Sequence, residues 1–219
     1  MGFRGPGYSW SPQLLDVLQR RGYRYDATVL PTFLAPLARR YFLRGSQLSE
    51  EERRRRSALF GSFRDGFRSN APYHWQLADG RSLLEIPVTT FPVLKVPFHL
   101  SYLLYLSAYS ERLMMAYLHA AIAACRLTRL EPSFLLHPLD LLGGDQVPQL
   151  SFFPGMNLTG RHKARAFRRI LRTLGEHFEL VPLGTHASAI LARGGLRIRR
   201  PAQRREATAL ATLHTDGVR

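Results

Sequence analysis

Apolar side chains recur along this chain in two rhythms, and the alternation between them predicts helices interleaved with strands. Ser11-Pro12 supplies an N-cap hydroxyl followed by a proline at the first helical position; Leu14, Leu15 and Leu18 continue as one stripe, and Gly22 closes the helix. From 23 to 30 the period drops to two. Tyr23, Tyr25, Ala27 and Val29 alternate with Arg24, Asp26 and Thr28, which predicts a strand ending at Pro31 with Asp26 and Thr28 opposite the tyrosines. Phe33, Leu34, Leu37 and Tyr41 suggest a second helix, closing before Gly45. A capping box then runs from Ser49 to Glu52, and its glutamates precede Arg54, Arg55 and Arg56 by four residues each, so Arg53 to Arg56 read most simply as a solvated helix face.

The stretch 63–81, rich in Gly, Asn, Pro, Asp and aromatics, predicts a long loop or insertion. Residues 83–92 are apolar and β-branched but include two prolines, which suits a short or edge strand. One long helix is expected over 99–126. The near-continuous apolar run 133–142 fits a strand covered on both faces. A basic amphipathic helix follows over 161–177, with Ala164, Phe167, Ile170, Leu171 and Leu174 inward, and 178–183 suggests a last strand. Beyond 192 the pattern decays into a basic stretch expected to be a mobile tail, 193–219. The series predicts an α/β fold with parallel strands and no internal repeat.

A length of 219 residues with 45% hydrophobic content suits one domain. The formal charge of +15, almost all from arginine, implies a positive surface and leaves nucleic acid, anionic lipid and acidic glycan open as partners. Solvated arginines from a GC-rich coding bias explain it equally well. The lone Cys125 excludes an internal disulfide framework and a cysteine zinc cluster, and suggests a reducing compartment. The N-terminus lacks a basic-then-apolar export pattern, and the most apolar region is interrupted by Glu111-Arg112 and His119. A soluble protein is expected, cytoplasmic or peripheral to a membrane.

Familiar site signatures are missing: no Gly-x-Ser-x-Gly elbow, phosphate-binding loop, His-Glu-x-x-His or cysteine pair occurs. Asn157-Leu158-Thr159 matches a glycosylation sequon by chance. What remains is Arg4, set rigidly among glycines and a proline, the strand carboxylate Asp26, His137 and Asp140. A lone histidine at a strand end is more often a hydrogen-bonded core residue than a catalyst. Pro138, however, turns the chain out of the expected strand and leaves His137 at a sheet edge, where sites form.

Phe3-Arg4-Gly5-Pro6-Gly7-Tyr8, then a helix, then Gly22-Tyr23-Arg24-Tyr25-Asp26-Ala27, and later Leu135-Leu136-His137-Pro138, resemble in order the C-terminal half of the polysaccharide deacetylase family, the metal-dependent deacetylases of carbohydrate esterase family four. The resemblance implies part of a distorted (β/α) barrel over 1–192, lacking its N-terminal strands and carrying an insertion at about 45–82. It implies that Arg4 orients a catalytic-base aspartate and that Asp26 fixes Arg4. Leu135 would line the acetyl pocket, with Tyr8 and Trp75 also in contact with the sugar, and His137 would be the general acid that protonates the leaving amine. An intact family member uses a divalent metal, zinc by expectation, and acts on an acetylated carbohydrate or glycolipid.

The Gly7-Tyr8 order reverses the family's usual ending of that motif, which suggests a divergent subgroup. Paired aspartates and two histidines about four apart, which hold the family's base and metal, have no counterpart in this sequence. The expectation is therefore a deacetylase-like hydrolase present as a fragment, binding no metal tightly and inactive alone. The alternative is a non-enzymatic basic protein that binds nucleic acid or an anionic membrane through residues 193–205. Tyr73, His74 and Trp75 suit stacking on a sugar or packing in a core equally.

Overall fold

The computed structural model describes residues 1–38, 40, 61–151, 153 and 155–201. Its centre is a sheet of β1 (Gly2–Phe3), β2 (Tyr25–Asp26), β3 (Tyr73–Gln76), β4 (Ser82–Glu85) and β5 (Arg197–Arg199), in the order β1-β2-β4-β3-β5. β1, β2 and β4 run parallel, β3 is antiparallel to β4, and β5 is parallel to β3. Phe3 pairs with Asp26 and Asp26 with Glu85, so three neighbouring strands end level with one another.

The first helix, α1 (Pro12–Arg20), forms where the sequence signals it: Ser11 Oγ accepts from Leu14 N at 3.1 Å, and Leu15 and Leu18 are buried. It connects the parallel strands β1 and β2 and packs on one face of the sheet against Val29, Tyr73, Trp75 and Leu83. Leu84 and Ile86 point to the opposite face, as the two-residue period of a strand requires, and meet Ala187 and Ile190. A larger core joins three more helices, α2 (Leu100–Tyr109), α3 (Glu111–Leu127) and α4 (Gly160–Gly175), through Leu103, Leu104, Met114, Leu118, Ile122, Ile170 and Leu174. Each such buried side chain stabilises the fold by roughly 1.5–3 kcal/mol. The last helix, α5 (Leu183–Arg193), is the one that covers Leu84 and Ile86, and its Arg193 pairs with Glu131.

Several expectations need correction. The apolar run over 99–126 is two helices, because Ser110 is extended (φ −164°, ψ 126°) and its hydroxyl caps α3 by accepting from Leu113 N. Of the strand expected over 23–30, only Tyr25–Asp26 lies in the ladder. Residues 83–92 do not form an edge: Ser82–Glu85 sits between β2 and β3, and both prolines fall beyond it. The stretch 63–81 contains a 3-10 helix (Phe63–Phe67) and β3, whose Tyr73 and Trp75 are fully buried. Residues 133–137 form no ladder; their polar groups are met by Thr89 and Leu100 instead, and the chain then turns into a 3-10 helix, Pro138–Leu141.

Residues 178–182 form no strand either, and α5 begins directly after Pro182. The supposed tail is structured at its start, since Arg197–Arg199 pairs with β3. The remainder of that tail, from 202, and the arginine-rich helix expected after Ser49 lie outside the described residues. The helix expected over 33–41 is present at 35–38 and 40. Among the described residues, no helix is long and apolar enough to cross a membrane.

Candidate functional site

The loop after β1 is pinned to the strand beside it. Gly5 N donates to Thr28 Oγ1 at 2.7 Å, the Thr28 hydroxyl donates to Asp26 Oδ1 at 2.5 Å, and Ala27 N donates to the same oxygen at 2.8 Å. A Cβ at Gly5 would lie 2.5 Å from the Ser9 carbonyl oxygen, so only glycine allows this approach. Arg4 Nε donates to Ala27 O at 2.9 Å, which sets its guanidinium beside Asp26 and Glu85. Burial pulls the Arg4 pKa down, and the neighbouring Tyr8, Asp26 and Glu85 oppose that.

Asp26 and Glu85, paired across adjacent strands, are both buried. Glu85 Oε1 accepts from Val29 N at 3.0 Å and Oε2 from the Trp75 indole N–H at 2.9 Å. Burial raises the pKa of both carboxyls, and the proximity of Asp26 raises Glu85 further. Asp26 Oδ2 accepts from no N–H or hydroxyl among the described residues.

Tyr8 links this end of the site to His137. Its backbone is left-handed (φ 58°), and its ring packs on Leu30, Val88 and Leu135. Burial pushes its phenol pKa far up, with Arg4 opposing and Asp140 adding to the rise, so Tyr8 lies within electrostatic reach of both. Asp140 sits on the 3-10 turn that Pro138 starts. Its Oδ2 accepts from His137 N at 2.8 Å and lies 3.6 Å from His137 Nδ1, while Ser101 Oγ is 3.0 Å from that nitrogen. Burial acts to raise the Asp140 pKa, but hydrogen bonds from His137 and Ser101 outweigh it and hold the carboxyl below its usual range.

The Nδ1 edge of His137 is thus engaged, and with 45% of the side chain exposed, Nε2 is the edge able to meet a ligand. Lys163 fixes the turn from beneath, donating to Leu139 O at 2.9 Å and Leu142 O at 2.7 Å. His99, 6.2 Å from His137 between ring centroids, has its pKa lowered to about 4 by burial and by His137.

Arg4, Tyr8, Asp26, Leu135 and His137 therefore come together, and Trp75 does not join them. Trp75 is fully buried and stacked on Trp10 at 4.9 Å, with the Arg68 guanidinium over both rings, so it holds Glu85 and has no open face for a sugar. Sequence reasoning missed Glu85, Ser101 and Lys163. Glu85 had a signal, a lone acid inside the apolar run Leu83-Leu84-Glu85-Ile86. Ser101 and Lys163 had none, because each acts through a tertiary contact. Among the described residues no three His, Cys, Asp or Glu side chains converge as a metal site, and no step is routed through a metal. No family model, curated protein or solved structure matches the chain.

Proposed function

We propose that these residues form the proton-donating and acetyl-recognising part of a polysaccharide deacetylase-like hydrolase site, on a sheet that corresponds to part of that family's distorted barrel. The supporting observation is that Asp26 and Arg4, at the C-terminal ends of parallel strands where α/β sheets bind ligands, lie within electrostatic reach of Tyr8, and Tyr8 within reach of the Asp140 that holds His137. Removing an N-acetyl group forms a tetrahedral adduct, and the amine leaves only when its nitrogen gains a proton. His137 Nε2 supplies that proton, while Asp140 and Ser101 fix the tautomer and the ring orientation from the other edge. Leu135, buried with Leu30 and Val88 behind Tyr8, would back the apolar wall that takes an acetyl methyl. Arg4 is a positioning residue held by Ala27 O within electrostatic reach of Asp26 and Glu85.

Calorimetric titration with an acetylated chitooligosaccharide and with its de-N-acetylated form tests the reading. The acetylated ligand is expected to bind at least about tenfold tighter, a difference of ~1.4 kcal/mol, and His137→Ala and Leu135→Ala each to reduce that preference. Equal affinities, or a preference untouched by both substitutions, would sink it.

A further inference from the structure

Three segments distant in sequence meet on one surface and turn apolar side chains outward. Thr32 Oγ1 donates to Lys95 O at 2.7 Å, Lys95 Nζ donates to Arg68 O at 2.8 Å, and the Phe33 ring packs on Phe63 and Phe67 at 5.1 and 5.0 Å. Phe63 and Leu94 are exposed on this surface, as are Phe67 at 71% and Val93 at 83%. Scattered exposed apolar residues are ordinary, whereas four held together on a braced frame mark an interaction surface.

The bracing is specific. Ser62 and Asp65 form a reciprocal capping box, and Arg68 Nε donates to Asp65 Oδ1 at 2.7 Å, so the turn that carries both phenylalanines is fixed at each end. A Cβ on Gly66 would lie 2.2 Å from the Phe33 ring, so the aromatic cluster closes only over glycine. Val93 (φ 70°) and Lys95 (φ 58°) both adopt left-handed backbone, which is strained for a β-branched residue. Stability alone would favour glycine or asparagine there. The strain instead holds Val93 and Leu94 at the tip of a turn.

Charge decides the occupant. In 31–40, 61–70 and 91–98 the one acidic residue is Asp65, which is buried and paired with Arg68, whereas Arg40 and Arg64 are exposed. An apolar tip and aromatic rings set beside cations, with no outward negative charge among these described residues, match the boundary between anionic headgroups and acyl chains. Base recognition in nucleic acid would use the rings and Arg64 but leave the aliphatic tip of Val93 and Leu94 without a role. The geometry points to this surface as a docking site for an anionic lipid bilayer, independent of the deacetylase reading.

Co-sedimentation of the full chain with vesicles of roughly one part phosphatidylglycerol to two parts phosphatidylcholine tests it. The chain is expected to bind these vesicles and to bind pure phosphatidylcholine more weakly. Phe63→Ser with Phe67→Ser, and separately Val93→Ser with Leu94→Ser, should each weaken binding about tenfold, with an unchanged far-UV circular dichroism spectrum as the control for folding. Absence of vesicle binding, binding unaffected by both pairs, or equal binding to both lipid mixtures would overturn the inference. So would a dimer seen by analytical ultracentrifugation that both pairs dissolve, since the surface would then belong to a second copy of the chain.

Discussion

At the scale of single residues, two buried groups give the protein opposite responses to pH. His99 is kept neutral: its folded pKa of about 4 lies below the unfolded value near 6.5, so its contribution is fully present above pH ~6.5 and is lost as pH falls toward 4. The loss is roughly 1–3 kcal/mol, and His99→Asn should flatten that acid limb in chemical denaturation measured across the range. Glu85 has the reverse sign. With its pKa raised well above the ordinary value, its contribution is present below the unfolded pKa and declines as pH rises through the folded one. Glu85→Gln should shrink that decline. Glu85→Ala should destabilise by about 2–5 kcal/mol at any pH, because it strands the Trp75 indole and the Val29 amide. An unchanged denaturation midpoint in Glu85→Ala would mean the pair does not support the strand ends.

At the scale of elements, the site depends on a short turn held by one cation. Lys163→Met keeps the apolar stem but removes the donor to Leu139 and Leu142, and should cost about 2–4 kcal/mol in thermal unfolding. If the turn is set by Pro138 alone, the melting temperature will not move. This element also shows how far the sequence could be read. Ser11-Pro12 was legible because helix starts are local signals, and so was the helix α4, but of its expected inner face only Ile170 and Leu174 are buried, while Lys163, Ala166 and Thr173 take the places of Ala164 and Leu171. The break at Ser110 was legible in principle, since an N-cap serine preceded Glu111, but unbroken hydrophobicity on both sides concealed it. β3 was hidden because its aromatics look like loop residues until β4 and β5 cover them. β5 was hidden too, since three residues that alternate arginine and isoleucine form a strand only by pairing with β3. Ending the chain before Leu196 should therefore lower the melting temperature, whereas a dispensable tail would leave it unchanged.

For the whole molecule, the candidate site was more legible than the fold around it. Arg4, Asp26 and His137 were chosen by residue type and local rigidity, and the parallel order of β1, β2 and β4 brings the first two to one sheet end. His137 reaches the same place without being in a strand, because the extended segment before it is held by Thr89 and Leu100. Trp75 was misassigned for the complementary reason: an aromatic side chain does not announce whether it faces solvent or a neighbouring tryptophan. The excess of arginine placed no site; the surface proposed for lipid docking was found from where exposed apolar and cationic residues fall together.

The central claim is that acetyl recognition and proton donation meet at Leu135 and His137. It is tested most directly by carbon–proton NMR of the leucine methyls and histidine rings during titration with an acetylated chitooligosaccharide. The account predicts that the Leu135 methyl and His137 ring signals shift together and saturate, while the de-N-acetylated ligand leaves Leu135 unmoved. Saturable binding that shifts neither residue, or that shifts both equally with the de-N-acetylated ligand, would contradict it.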